Sequence, residues 1–265
     1  MDYEVISRGL LTLIRDGRRH PDIMLRKLNE MQNAFLQKNP SLYSAAEEQS
    51  INYYMKALSY KFHLSNLSLE QLWSLSEQTR MKVVDALQNS LDNLDVSDDE
   101  LLLIAFTFEG FLFYAKSFLD FYMLYICFLF CTGYQGSMST KRFYKELRKD
   151  LREPFKSKAE QIEKYFQTKV FGNPGPSSLS TGNWGTLLTS MRDKVAHRDL
   201  LRPSFESEEK LAKEILFNWP TIQQETYDRF CQMMQNGMFF LIQDTTPILY
   251  DLEWKSGPYR PGIWE

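Results

Sequence analysis

The stretch SDDELLLIAFTFEGFLFYAKSFLDFYMLYICFLF, residues 97–130, decides the fold class that the sequence predicts. Ser97 and Glu100 have the spacing of a capping box, in which each side chain bonds to a backbone N–H at the start of a helix. The residues that follow are almost all apolar, and no proline interrupts them before Gly133. One long helix that ends near Phe130 is therefore expected.

This helix is also long enough to cross a lipid bilayer, so a membrane protein has to be considered. Lys116 and Asp120 interrupt the apolar stretch, and the uninterrupted part, from Phe121 to Cys131, is much shorter than the roughly 20 residues of a spanning helix. A buried core helix is expected, without a membrane partner. A membrane-associated protein that uses residues 111–131 stays open as an alternative.

The rest of the chain has helical patterns as well. Apolar residues recur at intervals of three and four, and alternating strand patterns and Asn-Gly turns are almost absent, so the predicted fold is all-α. Breaks are expected at Pro21, Pro40 and 65–68, and a loop at 172–183. Helices are expected near the N-terminus, over 22–38, 42–62, 69–93 (a pair), 140–168 and 207–216, from Trp184 onward, and after a cap formed by Thr221 and Gln224.

These elements indicate three regions of the chain. Residues 1–96 form an N-terminal helical region of no assigned role. A boundary is expected near residue 96, with close packing of the N-terminal helices on the rest as the alternative, and a helical bundle is expected over residues 97–245. Residues 246–265 are expected to be an irregular tail.

Charge and cysteine content restrict the class of function. With a net charge of −3, the protein is not coated in basic surface, so contact with nucleic acid needs a local patch, which residues 192–202 supply. Cys127, Cys131 and Cys231 make no disulfide framework, which indicates reduced thiols and a cytoplasmic location. The apolar stretch near the N-terminus is too short for a signal peptide.

The segment SMRDKVAHRDLLRP, residues 190–203, places one of the three histidines among charged residues. On a helix, Arg192 and His197 are about 140° apart, whereas Asp193 and His197 share a face. Histidine exchanges protons near neutral pH and arginine stabilises phosphate charge, and metal-independent RNA cleavage needs both. In that reaction the ribose 2′-OH attacks the adjacent phosphodiester. A helix end with solvated charges is the alternative explanation.

A second polar group lies on the long helix. Glu109, Lys116 and Asp120 fall within about 40° of one another on an ideal helix, so they form one polar stripe. Because an unpaired buried charge is costly, the stripe is expected to face water or a cleft. It is either one wall of a polar cleft or a solvated face with an i, i+4 pair between Lys116 and Asp120.

Other chemistries find no support in the sequence. His20 and His63 have no ligand-spaced cysteine or carboxylate partners, so no metal site is expected. Walker, G-x-S-x-G and dinucleotide-binding motifs are missing, so no cofactor is expected. The stretch KRFYKELRKDLREPFKSK, residues 141–158, interleaves basic with acidic residues and is expected to be a solvated helix face, although it has the charge to help hold RNA.

Two separate stretches resemble one known family. The run Arg192-Asp193-Lys194-Val195-Ala196-His197 resembles the R-x4-H signature of HEPN domains, and the following Arg198-Asp199 is also similar to many members. The stretch FEGFLFYAKSFLD, residues 108–120, resembles the first HEPN helix, including its acidic and basic positions. The resemblance covers about residues 98–245.

The resemblance implies a HEPN-like helical bundle, here with additional N-terminal helices, that forms a homodimer in which two motifs line one cleft. It implies a metal-independent endoribonuclease in which His197 transfers protons, Arg192 binds the scissile phosphate and Asp193 orients the pair. The supporting candidates are Glu109, Lys116, Asp120 and Arg198. Many HEPN proteins belong to toxin–antitoxin or antiviral systems, so RNA and an antitoxin or regulatory protein are expected partners. A non-catalytic RNA- or protein-binding or scaffold module is the alternative.

Overall fold

The structure, a computed structural model, describes residues 21–88, 98–134, 136–172, 183–197 and 227–252. Within these ranges the regular structure is helical and contains no strand, which confirms the all-α prediction. A π-helical turn, Phe166–Val170, follows the fifth helix directly. The helices are α1 (Pro21–Lys38), α2 (Ala45–Gln88), α3 (Asp98–Leu129), α4 (Thr140–Leu147), α5 (Phe155–Tyr165), α6 (Trp184–His197) and α7 (Tyr227–Tyr250).

The long helix α3 is confirmed almost to the residue. It ends because Cys131 adopts the left-handed conformation, with φ 54°, which turns the chain out of the helix. The Thr132 N–H then donates to the Cys127 carbonyl at 3.0 Å, and the Cys131 N–H donates to the Phe128 carbonyl at 3.0 Å. Both bonds satisfy carbonyls that the helix end would otherwise leave unpaired.

The two halves of α3 differ in burial. Within the described part of the chain, the segment Asp99–Leu129 is the one helix long and apolar enough to cross a membrane, and 44% of its most apolar window is buried. Its second half, from Phe118 to Leu129, supplies mostly buried side chains. In its first half, by contrast, Phe106 is 73% exposed and Phe113 is 52% exposed. The described residues therefore bury the second half of α3 more completely than its first half.

The predicted helix break at 65–68 is wrong, because α2 passes through these residues without interruption. Serine and asparagine favour breaks when their side chains bond to their own backbone. Here the buried Ser65 hydroxyl donates to the side-chain Oε1 of Gln235 at 3.2 Å. The Gln235 amide donates to Asn66 at 3.2 Å, and the Asn66 amide donates to Glu70 at 3.0 Å. These side chains bond to other side chains, so the backbone stays helical.

The prediction of one helix over 140–168 is wrong as well. Helix α4 ends at Leu147 and α5 begins at Phe155, so two shorter helices occupy this stretch. Pro154 prevents one continuous helix, because proline has no N–H to donate and disfavours helical conformation in the residue before it, and α5 begins directly after it. The α4 start is capped by Ser139, whose hydroxyl accepts from the Arg142 N–H at 3.3 Å.

The expected irregular tail over 246–265 is wrong for its first residues, since α7 runs through Pro247 to Tyr250. The Thr245 and Thr246 hydroxyls donate to carbonyls one turn back, each at 2.6 Å. The helix then ends at Asp251, which has φ 55°. Outside the described residues lie the expected N-terminal helix, most of the 172–183 loop, the 207–216 helix, the Ser97 and Thr221–Gln224 caps and the tail from 253.

The described residues fall into two compact units, and α2, α3 and α7 each contribute to both. The first unit contains residues 21–63, 117–170 and 238–252. The second contains 64–116 and 171–237, less the residues outside the description. The boundary near residue 96 that the sequence suggested lies outside the described residues and stays a prediction.

Aromatic side chains form the core of the first unit. The Phe62 ring lies 5.2 Å from the Phe118 ring and 5.0 Å from the Phe239 ring. The Tyr122 and Thr245 hydroxyls, both buried, lie 2.6 Å apart and are hydrogen-bonded. This packing brings the first half of α2, the second half of α3 and the second half of α7 together.

The core of the second unit is built on two aromatic contacts. Phe108 of α3 stacks on Tyr227 of α7, with ring centroids 4.0 Å apart and the rings nearly parallel. Trp184, at the start of α6, packs against Gly237 of α7, so that a Cβ atom on Gly237 would lie 2.5 Å from the Trp184 ring. Only glycine allows the ring to come this close, and this contact sets the position of α6.

Candidate functional site

Helix α6 carries the R-x4-H motif, and its apolar residues fix which face looks inward. Trp184, Leu188 and Met191 are buried and follow one another at helical spacing. On an ideal helix Asp193 lies about 180° from Trp184, on the opposite face. The charged residues of the motif therefore lie on or near the solvent side of a helix whose other side is anchored in the core.

Arg192 and Asp193 form a surface ion pair. Arg192 Nη1 lies 2.9 Å from Asp193 Oδ1, and the two side chains are 37% and 52% exposed. An exposed pair of this kind contributes about 1 kcal/mol or less to stability. Both groups are therefore accessible to a ligand, and an incoming phosphate would compete with Asp193 for the guanidinium at low energetic cost.

His197 is the last residue of α6, so the predicted helix does reach the histidine. Its backbone position is five residues after Arg192, which corresponds to about 140° around the helix. Asp193 shares a face with this position, as the sequence predicted. The His197 side chain and Arg198 lie outside the described residues, so an Asp193–His197 contact stays a prediction.

The polar stripe of α3 is half-exposed, as expected for Glu109, Lys116 and Asp120. Glu109 and Lys116 belong to the second unit, which also contains α6, whereas Asp120 belongs to the first. Burial raises the pKa of Glu109 above its ordinary value. Burial also raises the pKa of Tyr227, to which the nearby Cys231 and Glu109 contribute. Glu109 thus lies close to Tyr227, a buried residue of the second unit.

The structure does not bring every predicted site residue together. In the part of the chain that it describes, no hydrogen bond or ion pair joins Glu109 to Arg192 or Asp193. Within one chain, the supporting role that the resemblance gives to Glu109 therefore has no direct contact behind it.

Metal binding and thiol chemistry are the other functions that histidines and cysteines can supply. Among the described residues, no group of three or more His, Cys, Asp or Glu side chains is placed to hold a metal ion. His63 Nδ1 lies 3.3 Å from Asp22 Oδ1, which accounts for this exposed histidine. The three cysteines are free thiols, and burial raises the pKa of Cys127 to about 12, so this thiol stays protonated at neutral pH.

One positioning residue escaped the sequence analysis. Gly237 allows Trp184 to pack closely, and this contact anchors the helix that carries the motif. The two residues are far apart in sequence, and glycine inside a helical pattern indicates close packing only when its partner is known. The sequence alone therefore gave no signal for this pair.

No protein family, curated protein or solved structure matches this chain. The likeness to HEPN domains therefore depends on the two sequence stretches quoted above. A function for this chain is therefore inferred from these stretches and from the geometry of α3 and α6.

Proposed function

We propose that the protein is a metal-independent endoribonuclease of the HEPN type, with Arg192, Asp193 and His197 as its reacting cluster. The observation that carries the proposal is the accessible Arg192–Asp193 pair, at 2.9 Å, on a helix that ends at His197. A guanidinium binds phosphate oxygens with two parallel hydrogen bonds, and imidazole transfers protons near neutral pH. The cluster combines both functions on one anchored helix.

The proposed reaction is a transesterification within RNA. A base removes the proton of the ribose 2′-OH, whose oxygen attacks the neighbouring phosphorus. The bond from phosphorus to the 5′ oxygen breaks, and this oxygen takes up a proton. The products are a 2′,3′-cyclic phosphate and a 5′-hydroxyl end. In this scheme His197 moves the proton, Arg192 stabilises the charge on the phosphorane and Asp193 holds both in place.

A homodimer completes the proposed site. Because Arg192 and His197 lie about 140° apart on one helix, a single copy does not direct both at one phosphate. Two copies of α6 that line one cleft solve this problem. The surface that supports dimerisation is on α3, in the same unit as α6, where Leu102, Phe106 and Phe113 are exposed.

The exposed apolar residues of α3 also give its polar stripe a role. Leu102, Phe106 and Phe113 lie within about 40° of one another on an ideal helix, and Glu109 falls about 20° to the side of Leu102. A contact between two copies along this face would bring Glu109 and Lys116 into the interface. Their supporting role, and that of Asp120 and Arg198, then belongs to the dimer.

The test is RNA cleavage in the presence of EDTA. Wild-type protein, Arg192→Ala and His197→Ala are incubated with mixed RNA, and the control is His63→Ala, which removes another histidine that is exposed and paired with a carboxylate. The proposal predicts cleavage by wild type and His63→Ala, and a loss of at least about a hundredfold in His197→Ala, typical for removal of a general acid–base group. Equal cleavage by all four proteins contradicts the assignment of the cluster.

A non-catalytic helical module that binds RNA or protein is the second candidate. It is favoured by the same ion pair, because Arg192 and Asp193 neutralise each other on the surface. RNA binding without cleavage by a confirmed dimer would support it.

The apolar helix Asp99–Leu129 supports a third candidate, a membrane-associated protein, which predicts that purification needs detergent. A cytoplasmic location and an antitoxin or regulatory partner belong to the nuclease proposal and come from the family resemblance.

A further inference from the structure

Positive charge is concentrated in one part of this acidic chain. Residues 140–169 contain ten Lys and Arg but five Asp and Glu, whereas the whole chain has a net charge of −3. The segment covers α4, α5 and most of the π-helical turn, all in the first unit. In sequence, the acidic residues interleave with the basic ones and hide this excess.

Burial removes one acid of this segment from the surface, whereas nearly all of its cations stay exposed. Asp150, Glu153 and Glu160 are exposed as well, so the surface keeps an excess of positive charge. Glu146 is buried and pairs with Lys149 at 2.5 Å, and Glu163 accepts from Arg148 Nε at 2.9 Å. Two of the five carboxylates are thus engaged by neighbouring cations. Nine of the ten cations are exposed, and the exception is Lys158, which donates to Asp251 at 2.6 Å.

The exposed lysines on α4 and α5 form no ion pair with another described residue. On α4 these are Lys141 and Lys145, and on α5 they are Lys156 and Lys164. We call them the α4–α5 lysines. Because these lysines are in no ion pair with another described residue, no such pair has to break when they bind an anion.

The two helices present these lysines on a fixed support. The rings of Phe143 and Phe166 lie 4.7 Å apart, so α4 packs on the turn that follows α5. Arg148, the residue that follows α4, donates to Glu163 of α5, so this bond joins the end of α4 to α5. Arg142 is held beside them by the Tyr134 hydroxyl, at 3.1 Å. A rigid support lowers the entropy cost of binding an extended polyanion.

The chemistry of the α4–α5 lysines and their neighbours indicates the kind of partner that they bind. A helix that docks on a membrane needs exposed apolar side chains to insert, and residues 140–169 carry none of the large exposed apolar residues. Lysine is well suited to contact a phosphate chain as a point charge, independent of base sequence. We propose that the α4–α5 lysines bind the phosphate backbone of single-stranded RNA. The choice of RNA among phosphate polymers depends on the proposed nuclease function.

The test measures binding separately from cleavage. A fluorescent single-stranded 2′-O-methyl RNA is used, because it has no 2′-OH and cannot be cut by the proposed reaction. Fluorescence anisotropy gives the Kd from about 50 to about 200 mM salt. The variants are Lys141→Gln/Lys145→Gln and Lys156→Gln/Lys164→Gln. The matched control is Arg26→Gln/Lys56→Gln, which removes the same charge from exposed positions of the same unit.

Log K falls with log salt, and each lost phosphate contact makes this fall less steep by about 0.7 for single strands. Each lysine variant should therefore have a slope about 1.4 closer to zero, so that wild-type binding weakens about sevenfold more than variant binding over this salt range. The control should keep the wild-type slope. Loss of binding by the lysine variants supports the inference even if no RNA is cleaved, which separates it from the nuclease proposal.

Three results would overturn the inference. The first is an unchanged slope in both lysine variants, whether or not wild type cleaves RNA. The second is an equal loss in the Arg26→Gln/Lys56→Gln control, which would indicate a general charge effect. The third is an absence of RNA binding together with lysine-dependent binding to vesicles of phosphatidylserine and phosphatidylcholine, which would assign the surface to a membrane.

Discussion

Replacing Gly237 with alanine should destabilise the second unit by up to about 2 kcal/mol. The added Cβ would lie 2.5 Å from Cδ2 of Trp184, which is about 1 Å closer than ordinary van der Waals contact. Overpacking of a rigid, buried ring costs about 1 to 3 kcal/mol. The better helix propensity of alanine offsets this cost by about 1 kcal/mol. The net effect is a loss of stability and a displacement of α6.

A second background makes this prediction sharper. In Trp184→Leu the rigid ring is gone, so Gly237→Ala should stabilise this variant by up to about 1 kcal/mol through helix propensity alone. Urea unfolding followed by circular dichroism measures both steps as shifts of the midpoint. A change of sign between the two backgrounds is the expected result. An equal effect of Gly237→Ala in both backgrounds would refute the close contact as the means of positioning α6.

Three further predictions concern other parts of the molecule. Ser65→Ala should lower the free energy of unfolding by about 1 to 2 kcal/mol, because Gln235 loses a buried donor, while helix content in circular dichroism stays unchanged. Phe106→Glu should convert the proposed dimer to a monomer in sedimentation experiments, while Tyr60→Glu, which is similarly exposed on α2, should leave it dimeric. If both variants stay dimeric, the α3 surface is not the interface. Burial raises the pKa of Glu109 in the folded state, so ionisation of Glu109 opposes folding. The stability that protonated Glu109 contributes is therefore complete at low pH and is lost as the pH rises through the folded pKa. Glu109→Gln should therefore stabilise the protein at pH 7 and have no effect near pH 4; the same effect at both pH values would exclude a titration origin.

The sequence predicted those elements whose causes are local. The apolar run after Ser97 was sufficient to predict α3, and the Asn39-Pro40 break separates α1 from α2 as expected. The break at Ser65 was wrong because the partner of Ser65, Gln235, is distant in the sequence. Side-chain bonds of this kind override local preference, and no pattern within one window reveals them.

The sequence likewise predicted the local part of the candidate site and not its long-range contacts. The motif helix was placed correctly, and Arg192 and Asp193 are accessible as a site requires. The anchoring contact of Trp184 with Gly237 was not predictable, because it joins two separate helices. The basic stretch 141–158 was recognised in the sequence, but its pairing was not, since only the structure distinguishes a paired acid such as Glu146 from an exposed one.

The chemical identity of the RNA ends tests the central claim most directly. Wild type and His197→Ala are incubated with a defined RNA in EDTA, beside a substrate that carries 2′-deoxyribose at the cleaved position. The account predicts 2′,3′-cyclic phosphate and 5′-hydroxyl ends from wild type, little product from His197→Ala, and an uncut deoxy-substituted substrate. Product with a 5′-phosphate, cleavage at the deoxy position or undiminished activity of His197→Ala would contradict it.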